Sequence, residues 1–317
     1  MRQSKGRIWA GLLAVAFIVT GCDLFAPGAP ATRPAPRSAP QADAVPEPSA
    51  ESQSYARYYA TVQQRLIANG LLRTDGGGPD TPITNRNLVA NFERIALFDE
   101  YALTNGRFVQ QQTPSRLRRW RGPVRLQAHF GASVPAEERD RDRSILGTYA
   151  TRLARVTGHP IRQVTGGGNF HVLYLNRDEQ RDAGPLLRRL LPSIGEETVQ
   201  EITSLPRFTF CSVYAFSATG ATPNYVTAIA IIRTEHPDLL RRSCVHEEVA
   251  QGLGLPNDSP VARPSIFNDD EEFALLTRHD ELLLEILYDP RLRPGMEPAE
   301  ARPVVQVIAS ELLGGSS

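Results

Sequence analysis

Residues 244–258 read CVHEEVAQGLGLPND, and this segment constrains the fold class more than any other part of the chain. It predicts a helix that ends near Gly254, because its apolar side is formed by residues at helical spacing: His246, Val249, Ala250 and Leu253. Glu247 and Gln251 lie one turn apart on a second face of this helix. Glu248 points about 100° away from Glu247 around the helix axis.

Oxygen-bearing side chains are expected to converge beside this helix. Gly254 allows the chain to turn back, which brings Asn257 and Asp258 toward Glu247 and Gln251. Carboxylate and amide oxygens suit Ca²⁺, Mg²⁺ or Mn²⁺, whereas zinc prefers imidazole and thiolate. We therefore predict a hydrogen-bonded polar cluster without a cofactor, in which Glu247, Gln251 and Asn257 tie the helix to the turn. The alternative is a weak divalent-metal site formed by Glu247, Gln251, Asn257 and Asp258.

His246 begins a literal His-Glu pair, but the residue four positions later is Ala250, which binds no metal. The position of His246 on the apolar face favours a partly buried packing residue over a metal ligand. The remaining histidines are dispersed, and none has ligand spacing: His129, His159, His171, His236 and His279.

The segments around this helix resemble, in their order, the metzincin zinc metallopeptidases. A β-branched run at 226–232 predicts a strand before the helix, and 276–288 predicts a C-terminal helix after it. The loop at 265–269 takes the place of the Met-turn of those enzymes, with Phe267 instead of methionine. The resemblance implies an α+β fold, with a zincin-like lobe built on a mixed five-stranded sheet and an active-site-type helix.

A metzincin helix holds zinc through histidines, with a glutamate beside the first histidine to activate water. In this chain the three ligand positions are Glu247, Gln251 and Asn257. Of the metzincin pattern, this chain retains the glutamate at the position of the general base, Glu248, and the glycine, Gly254. The resemblance therefore implies a metallopeptidase scaffold without its histidine ligands.

The chain is also similar to a bacterial envelope family called domain of unknown function 2927. The resemblance covers roughly residues 55–300 and implies no known activity. It rests on Cys244, Glu247, Glu248, Gln251, Leu253 to Leu255, Asn257, Asp258, Ser265 to Asp269, Leu287 to Pro290, Gly295 and Met296.

The N-terminal residues predict export and lipid attachment. Residues 1–22 combine a basic start with a short apolar run, and 19–22 (Val-Thr-Gly-Cys) match the lipobox in which Cys22 is lipidated. Residues 23–54 are rich in Pro and Ala and predict a disordered tether. We expect a lipoprotein anchored to a bacterial membrane through Cys22 and facing the periplasm, with the choice between inner and outer membrane open. An ordinary signal peptide is the alternative.

Amphipathic runs at 55–72 and 85–101 predict two helices, so we interpret 55–116 as a helical preface. Residues 117–300 are expected to form the zincin-like domain, and 301–317 a C-terminal tail. Within the domain we predict strands at 124–130, 160–164, 170–175, 208–216 and 226–232, and helices at 136–156, 183–191 and 196–202.

Charge and cysteine content narrow the function classes. The 35 acidic residues equal the 35 basic ones, and three of the basic ones leave with the signal peptide, so nothing favours a nucleic-acid partner. Export places Cys211 and Cys244 in an oxidising compartment, which predicts a disulfide between them. Two buried free thiols are the alternative.

Three functions remain open from the sequence. The first is a non-enzymatic pseudo-metallopeptidase of the envelope that binds a peptide, a protein or a glycan. The second is a metal-dependent, peptidase-type hydrolase with Glu248 as general base and Glu247, Gln251 and Asn257 or Asp258 as metal ligands. The third is a structural lipoprotein whose former cleft is filled.

Overall fold

A mixed β-sheet forms the centre of the computed structural model, which describes residues 45–104, 107–217, 223–268 and 270–314. Strands β5, β4, β6 and β8 are neighbours in that order and run parallel. β7 pairs antiparallel with β8, and β3 runs parallel to the start of β8. The strands of this sheet are β3 (Arg119–Trp120), β4 (Val124–Phe130), β5 (Ile161–Val164), β6 (Phe170–Leu175), β7 (Cys211–Ser217) and β8 (Asn224–Arg233).

The predicted α+β class with a mixed sheet is confirmed, but the sheet has six strands and not five. The additional strand is β3, in which Arg119 and Trp120 pair with Asn224 and Tyr225. A run of two residues is too short to give a strand pattern in the sequence.

Both faces of the sheet are covered. On β6, Phe170, Val172 and Tyr174 belong to the larger core, whereas Leu173 and Leu175 belong to a second, smaller core. This division follows from the alternation of side chains along a strand. Helices α2 (Asn85–Ala96), α3 (Ala136–Thr157), α7 (Asp238–Gly254), α8 (Arg278–Tyr288) and α9 (Pro298–Leu312) contribute to the larger core. The smaller core lies with α4 (Arg177–Arg181), α5 (Gly184–Leu190) and α6 (Glu196–Ser204).

The N-terminal segment is only partly helical. The first helix is α1 (Ala50–Ala68), which begins inside the predicted tether, and the second, α2, ends at Ala96 and not at residue 101. An antiparallel pair follows, formed by β1 (Phe98–Thr104) and β2 (Arg107–Pro114). Asn105-Gly106 between these strands is the dipeptide typical of a two-residue hairpin connection, a signal that the helical interpretation overlooked.

Residues predicted as a C-terminal tail belong largely to α9. Its buried side is formed by Ala301, Val305, Ile308 and Ala309, at the spacing of one helical face. This face completes the larger core, so the segment is part of the folded unit that begins at Val45.

The predicted signal peptide, the lipidation site Cys22 and residues 23–44 of the predicted tether lie outside the described residues. In the described part of the chain, none of the helices has the length and apolar character needed to cross a membrane.

Candidate functional site

Helix α7 carries the residues that the sequence singled out, and its C-terminal end is fixed by neighbouring side chains. Trp120 donates an indole hydrogen bond of 2.8 Å to the Gly252 carbonyl, and the Tyr288 hydroxyl donates to the Leu253 carbonyl. Gly254 has φ +131°, and a Cβ there would lie 2.3 Å from the carbonyl oxygen of Arg118. Only glycine fits this position, because both the backbone angle and the close approach exclude a side chain.

The predicted disulfide between Cys211 and Cys244 is confirmed. It links the first residue of β7 to the middle of α7, and the two Cα atoms are 5.8 Å apart. The edge strand and the helix are therefore joined covalently beside the candidate site.

Glu248 is buried at this junction. One of its carboxylate oxygens, Oε2, has no hydrogen-bond partner in the described part of the chain. Burial, followed by the nearby Asp258 carboxyl, holds the pKa of Glu248 well above its usual value. Glu248 is therefore protonated over a pH range in which an exposed glutamate is ionised.

Glu247 places a second carboxyl next to Glu248. Ligand atoms of Glu247, Glu248 and Cys211 all lie within 4.8 Å of one another. Together they line a cavity of about 210 Å³ between the approach to β7 and α7. Phe208 stands at this cavity with 75% of its surface exposed. The other lining residues include Phe210, Leu240 and Glu271.

Helix α1 packs beside this cavity. The Tyr59 hydroxyl donates a hydrogen bond of 2.7 Å to the Arg207 carbonyl, and its ring meets Phe210 edge-on at 5.8 Å between centroids. His236 lies against the same ring at 4.2 Å. A segment that the sequence placed in a preface thus packs against Phe210, which lines the cavity.

The remaining predicted ligands have hydrogen-bond partners of their own. The Gln251 amide donates to the Asp258 carboxylate at 3.0 Å. The Asn257 amide donates to the Arg94 and Phe98 carbonyls, at the end of α2. The first bond ties α7 to the loop that follows it, whereas the Asn257 amide joins this loop to Arg94 on α2 and to Phe98 at the start of β1.

These donors do not fit zinc. The Cys211 sulfur is bonded to Cys244 and is not available as a thiolate. With this sulfur bonded, the cluster of Cys211, Glu247 and Glu248 keeps only its two carboxyls, whereas zinc sites in proteins depend mainly on imidazole or thiolate.

His246 is a packing residue. Its ring stacks on Tyr149 at 4.0 Å, and its Nδ1 accepts a hydrogen bond from the Leu276 backbone N–H. Burial lowers the pKa of His246 to about 3, so the ring is neutral. This agrees with the interpretation drawn from the apolar face of the helix.

The sequence does not predict whether two other histidines, His171 and His236, approach the candidate site. His236 approaches the site, because its Nδ1 lies 3.7 Å from the Cys244 sulfur. His171 instead pairs with His129 on the neighbouring strand, at 3.0 Å between ring nitrogens. Neither contact has a signal in the sequence, since each joins residues that are not neighbours on one element.

The loop at 265–269 is held by Asp280 on α8. The fully buried Asp280 carboxyl accepts hydrogen bonds from the Ser265 hydroxyl at 2.6 Å and from the Ile266 N–H at 3.1 Å. It also accepts from the N–H and the hydroxyl of Thr277, which is the N-cap of α8. Thr277 and Asp280 therefore form a capping box at the start of α8 that also fixes the loop at 265–269.

Comparison with known proteins gives a family and no activity. No curated protein matches the chain. A family model described as a protein of unknown function matches residues 85–307, more than two thirds of the sequence. This chain belongs to that family, DUF2927.

Proposed function

We propose that this protein is a lipid-anchored envelope protein whose zincin-like domain binds a ligand without cleaving it. The observation that carries the proposal is the state of the α7 site. Both sulfurs that line its cavity, those of Cys211 and Cys244, are joined in a disulfide, which leaves a zinc-activated water without thiolate ligands, and no imidazole lines the cavity among the described residues.

The zincin-like assignment is supported by the sheet and the helix together. The antiparallel edge strand β7 lies against α7, and the disulfide joins them. Glu248 occupies the position of a metzincin general base, and Gly254 ends the helix. We interpret the domain as a metallopeptidase scaffold that has exchanged its metal ligands.

The cavity wall favours a peptide with a basic side chain or a free amino group. Three carboxyl side chains line it, Glu247, Glu248 and Glu271, and no basic side chain among the described residues does. A cationic group would pair with Glu247 and donate a hydrogen bond toward Glu248 Oε2. The exposed Phe208 ring offers an apolar contact at the rim.

The test combines three measurements on the purified protein. We expect no stoichiometric zinc, no cleavage of casein, and saturable binding of extended peptides that contain lysine or arginine. Glu247→Gln should weaken this binding, whereas Glu47→Gln, at an exposed position far along the chain, should leave it unchanged. Binding of glycans but not of peptides would show that the ligand class is wrong.

A metal-dependent hydrolase is the second candidate function. The observation in its favour is the proximity of the Glu247 and Glu248 carboxyls, since two carboxylates can share a hard cation. Casein cleavage that requires an added divalent cation and disappears in Glu248→Gln would establish it. Unchanged hydrolysis in Glu248→Gln would exclude Glu248 as its base.

The lipid anchor rests on the lipobox at 19–22. Mass spectrometry of protein expressed with its signal should find a diacylglyceryl modification on Cys22. Cys22→Ala should release the protein from the membrane fraction, and its retention there would contradict the anchor.

A further inference from the structure

A second and larger cavity lies at the N-terminal ends of the parallel strands. It encloses about 490 Å³ and shares no lining residue with the cavity beside Glu247. Six of its lining residues carry the argument: Arg119, Arg121, His159, Asn224, Tyr288 and Arg293. Tyr288 belongs to the sequence Leu-Tyr-Asp-Pro at 287–290, which has no role in the function proposed for the site on α7.

Arg119 places a fixed positive charge in the wall of this cavity. Its guanidinium donates hydrogen bonds to the backbone carbonyls of Leu287, Asp289 and Leu292. These partners are neutral groups, so they hold the guanidinium in place without cancelling its charge. Burial lowers the pKa of Arg119, whereas Tyr288 and the Asp289 carboxylate act in the opposite direction.

Two further guanidinium groups, those of Arg121 and Arg293, line the same cavity and are exposed. Neither forms an ion pair with any residue that the structure describes. Asp289 lies between the lining residues Tyr288 and Pro290 in the sequence. Its carboxylate oxygens accept two hydrogen bonds from the Arg291 guanidinium. This carboxylate pairs with Arg291 and offsets part of the charge of Arg119, and it leaves the charges of Arg121 and Arg293 in place.

His159 and Asn224 complete the polar lining. The His159 Nε2 lies 2.8 Å from the Gly122 carbonyl, and burial followed by the charge of Arg119 lowers its pKa. Asn224 has a buried side-chain oxygen without a hydrogen-bond partner in the described part of the chain. Tyr288 provides an aromatic wall, with the Arg119 guanidinium 5.4 Å from its ring centroid.

We infer that this cavity binds a phosphate-bearing ligand. Two arginines without an ion pair, Arg121 and Arg293, together with the buried Arg119, match the charge of a phosphate group, about −1.5 to −2, better than the single charge of a carboxylate. The forked N–H groups of Arg121 and Arg293 are suited to bind phosphate oxygens in pairs. The unpaired Asn224 oxygen would accept a hydrogen bond from a hydroxyl group on the same ligand. A free phosphate ester and a phospholipid headgroup share this chemistry.

The test follows the His159 imidazole by NMR while inorganic phosphate or glycerol phosphate is added to the purified protein. We expect saturable shifts and a rise in the His159 pKa, because a bound anion offsets the charge of Arg119. Phosphatidylcholine vesicles with and without phosphatidic acid form the second arm. Binding only to the acidic vesicles would assign the phosphate to a lipid headgroup, and binding of glycerol phosphate in solution to a free ester.

The variant Arg121→Ala/Arg293→Ala should weaken binding about tenfold or more, the loss expected for charge-assisted hydrogen bonds. Arg57→Ala/Arg189→Ala removes the same charge from exposed positions outside the cavity and should change the affinity little. Circular dichroism checks that both variants are folded. Equal weakening in the two double variants, or no saturable binding in either arm, would overturn the inference.

Discussion

The Gln63 side chain on α1 accepts a hydrogen bond of 3.0 Å from the backbone N–H of Leu240, in the first turn of α7. The N-cap of α7 is Pro237, which supplies no side-chain hydrogen bond. The first N–H groups of a helix have no partner within the helix, so α1 provides a cap that the local sequence lacks. The helix carrying the candidate site therefore depends on a segment outside residues 85–307, which the family model matches.

Gln63→Ala should lower the free energy of unfolding by about 1 kcal/mol, because a buried helix N–H loses its acceptor. Urea denaturation measures this change. Gln64→Ala is the matched control, since Gln64 is exposed on the same helix and should alter stability by less than about 0.5 kcal/mol. Equal losses in the two variants would show that the cap is unimportant.

Loss of the disulfide should cost roughly 3–4 kcal/mol, the chain-entropy value for a loop of this size. The bond closes 33 residues between β7 and α7. Urea denaturation of Cys211→Ala/Cys244→Ala should show the loss without added reductant, and dithiothreitol should then have no further effect. If dithiothreitol still changed the stability of the double variant, the redox-sensitive group would be a different residue.

Stability should fall with rising pH because of Glu248. Burial raises the pKa of its carboxyl in the folded protein well above the ordinary value of 4.5. The folded protein keeps this proton after the unfolded chain has lost it. The contribution of Glu248 to the free energy of unfolding is therefore complete below about pH 4.5, and it declines as the pH rises toward the folded-state pKa.

Glu248→Gln cannot ionise, so its stability should change less between about pH 5 and pH 8 than that of the natural protein. Urea denaturation across this range measures the difference. Glu47→Gln, at an exposed position, should reproduce the natural pH dependence. Parallel curves for the natural protein and Glu248→Gln would mean that Glu248 ionises normally in the folded state.

Asp280→Ala should destabilise the fold by roughly 3 kcal/mol or more, because four buried donors lose their acceptor. Asp280→Asn keeps one carbonyl oxygen and should cost less. Thermal unfolding measures both variants, and Asp140→Ala, on the exposed side of α3, serves as control. Similar losses for Asp280→Ala and Asp280→Asn would indicate that packing, and not hydrogen bonding, fixes the loop.

The central sheet and α7 were predictable because their signals are local. The β-branched run at 226–232 and the apolar spacing around Leu253 report burial directly, and β8 and α7 contain them. The pairing of Cys211 with Cys244 followed from the small number of cysteines. The hairpin of β1 and β2 was missed because helical spacing in 85–96 was extended across it.

The candidate site was less predictable, since its properties depend on contacts between distant segments. Asn257 carries the residue type expected of a ligand position, but its amide donates to carbonyls at the end of α2. The burial of Glu248 and the cap from Gln63 likewise arise from packing that no spacing rule encodes. The cavity lined by Arg119 combines residues 119–121, 159, 224, 288, 290 and 292–294, which have no common motif.

We expect the affinity of this protein for metal cations to depend on the oxidation state of the Cys211 sulfur, which lies beside Glu247 and Glu248. Reduction would turn Cys211 into a thiol next to Glu247 and Glu248, and a thiolate suits zinc where carboxylates alone do not. Preparations exposed to dithiothreitol are therefore expected to pick up metal that the oxidised protein leaves in solution. A zinc content measured only after such treatment would describe the reduced protein and not the disulfide-bonded form.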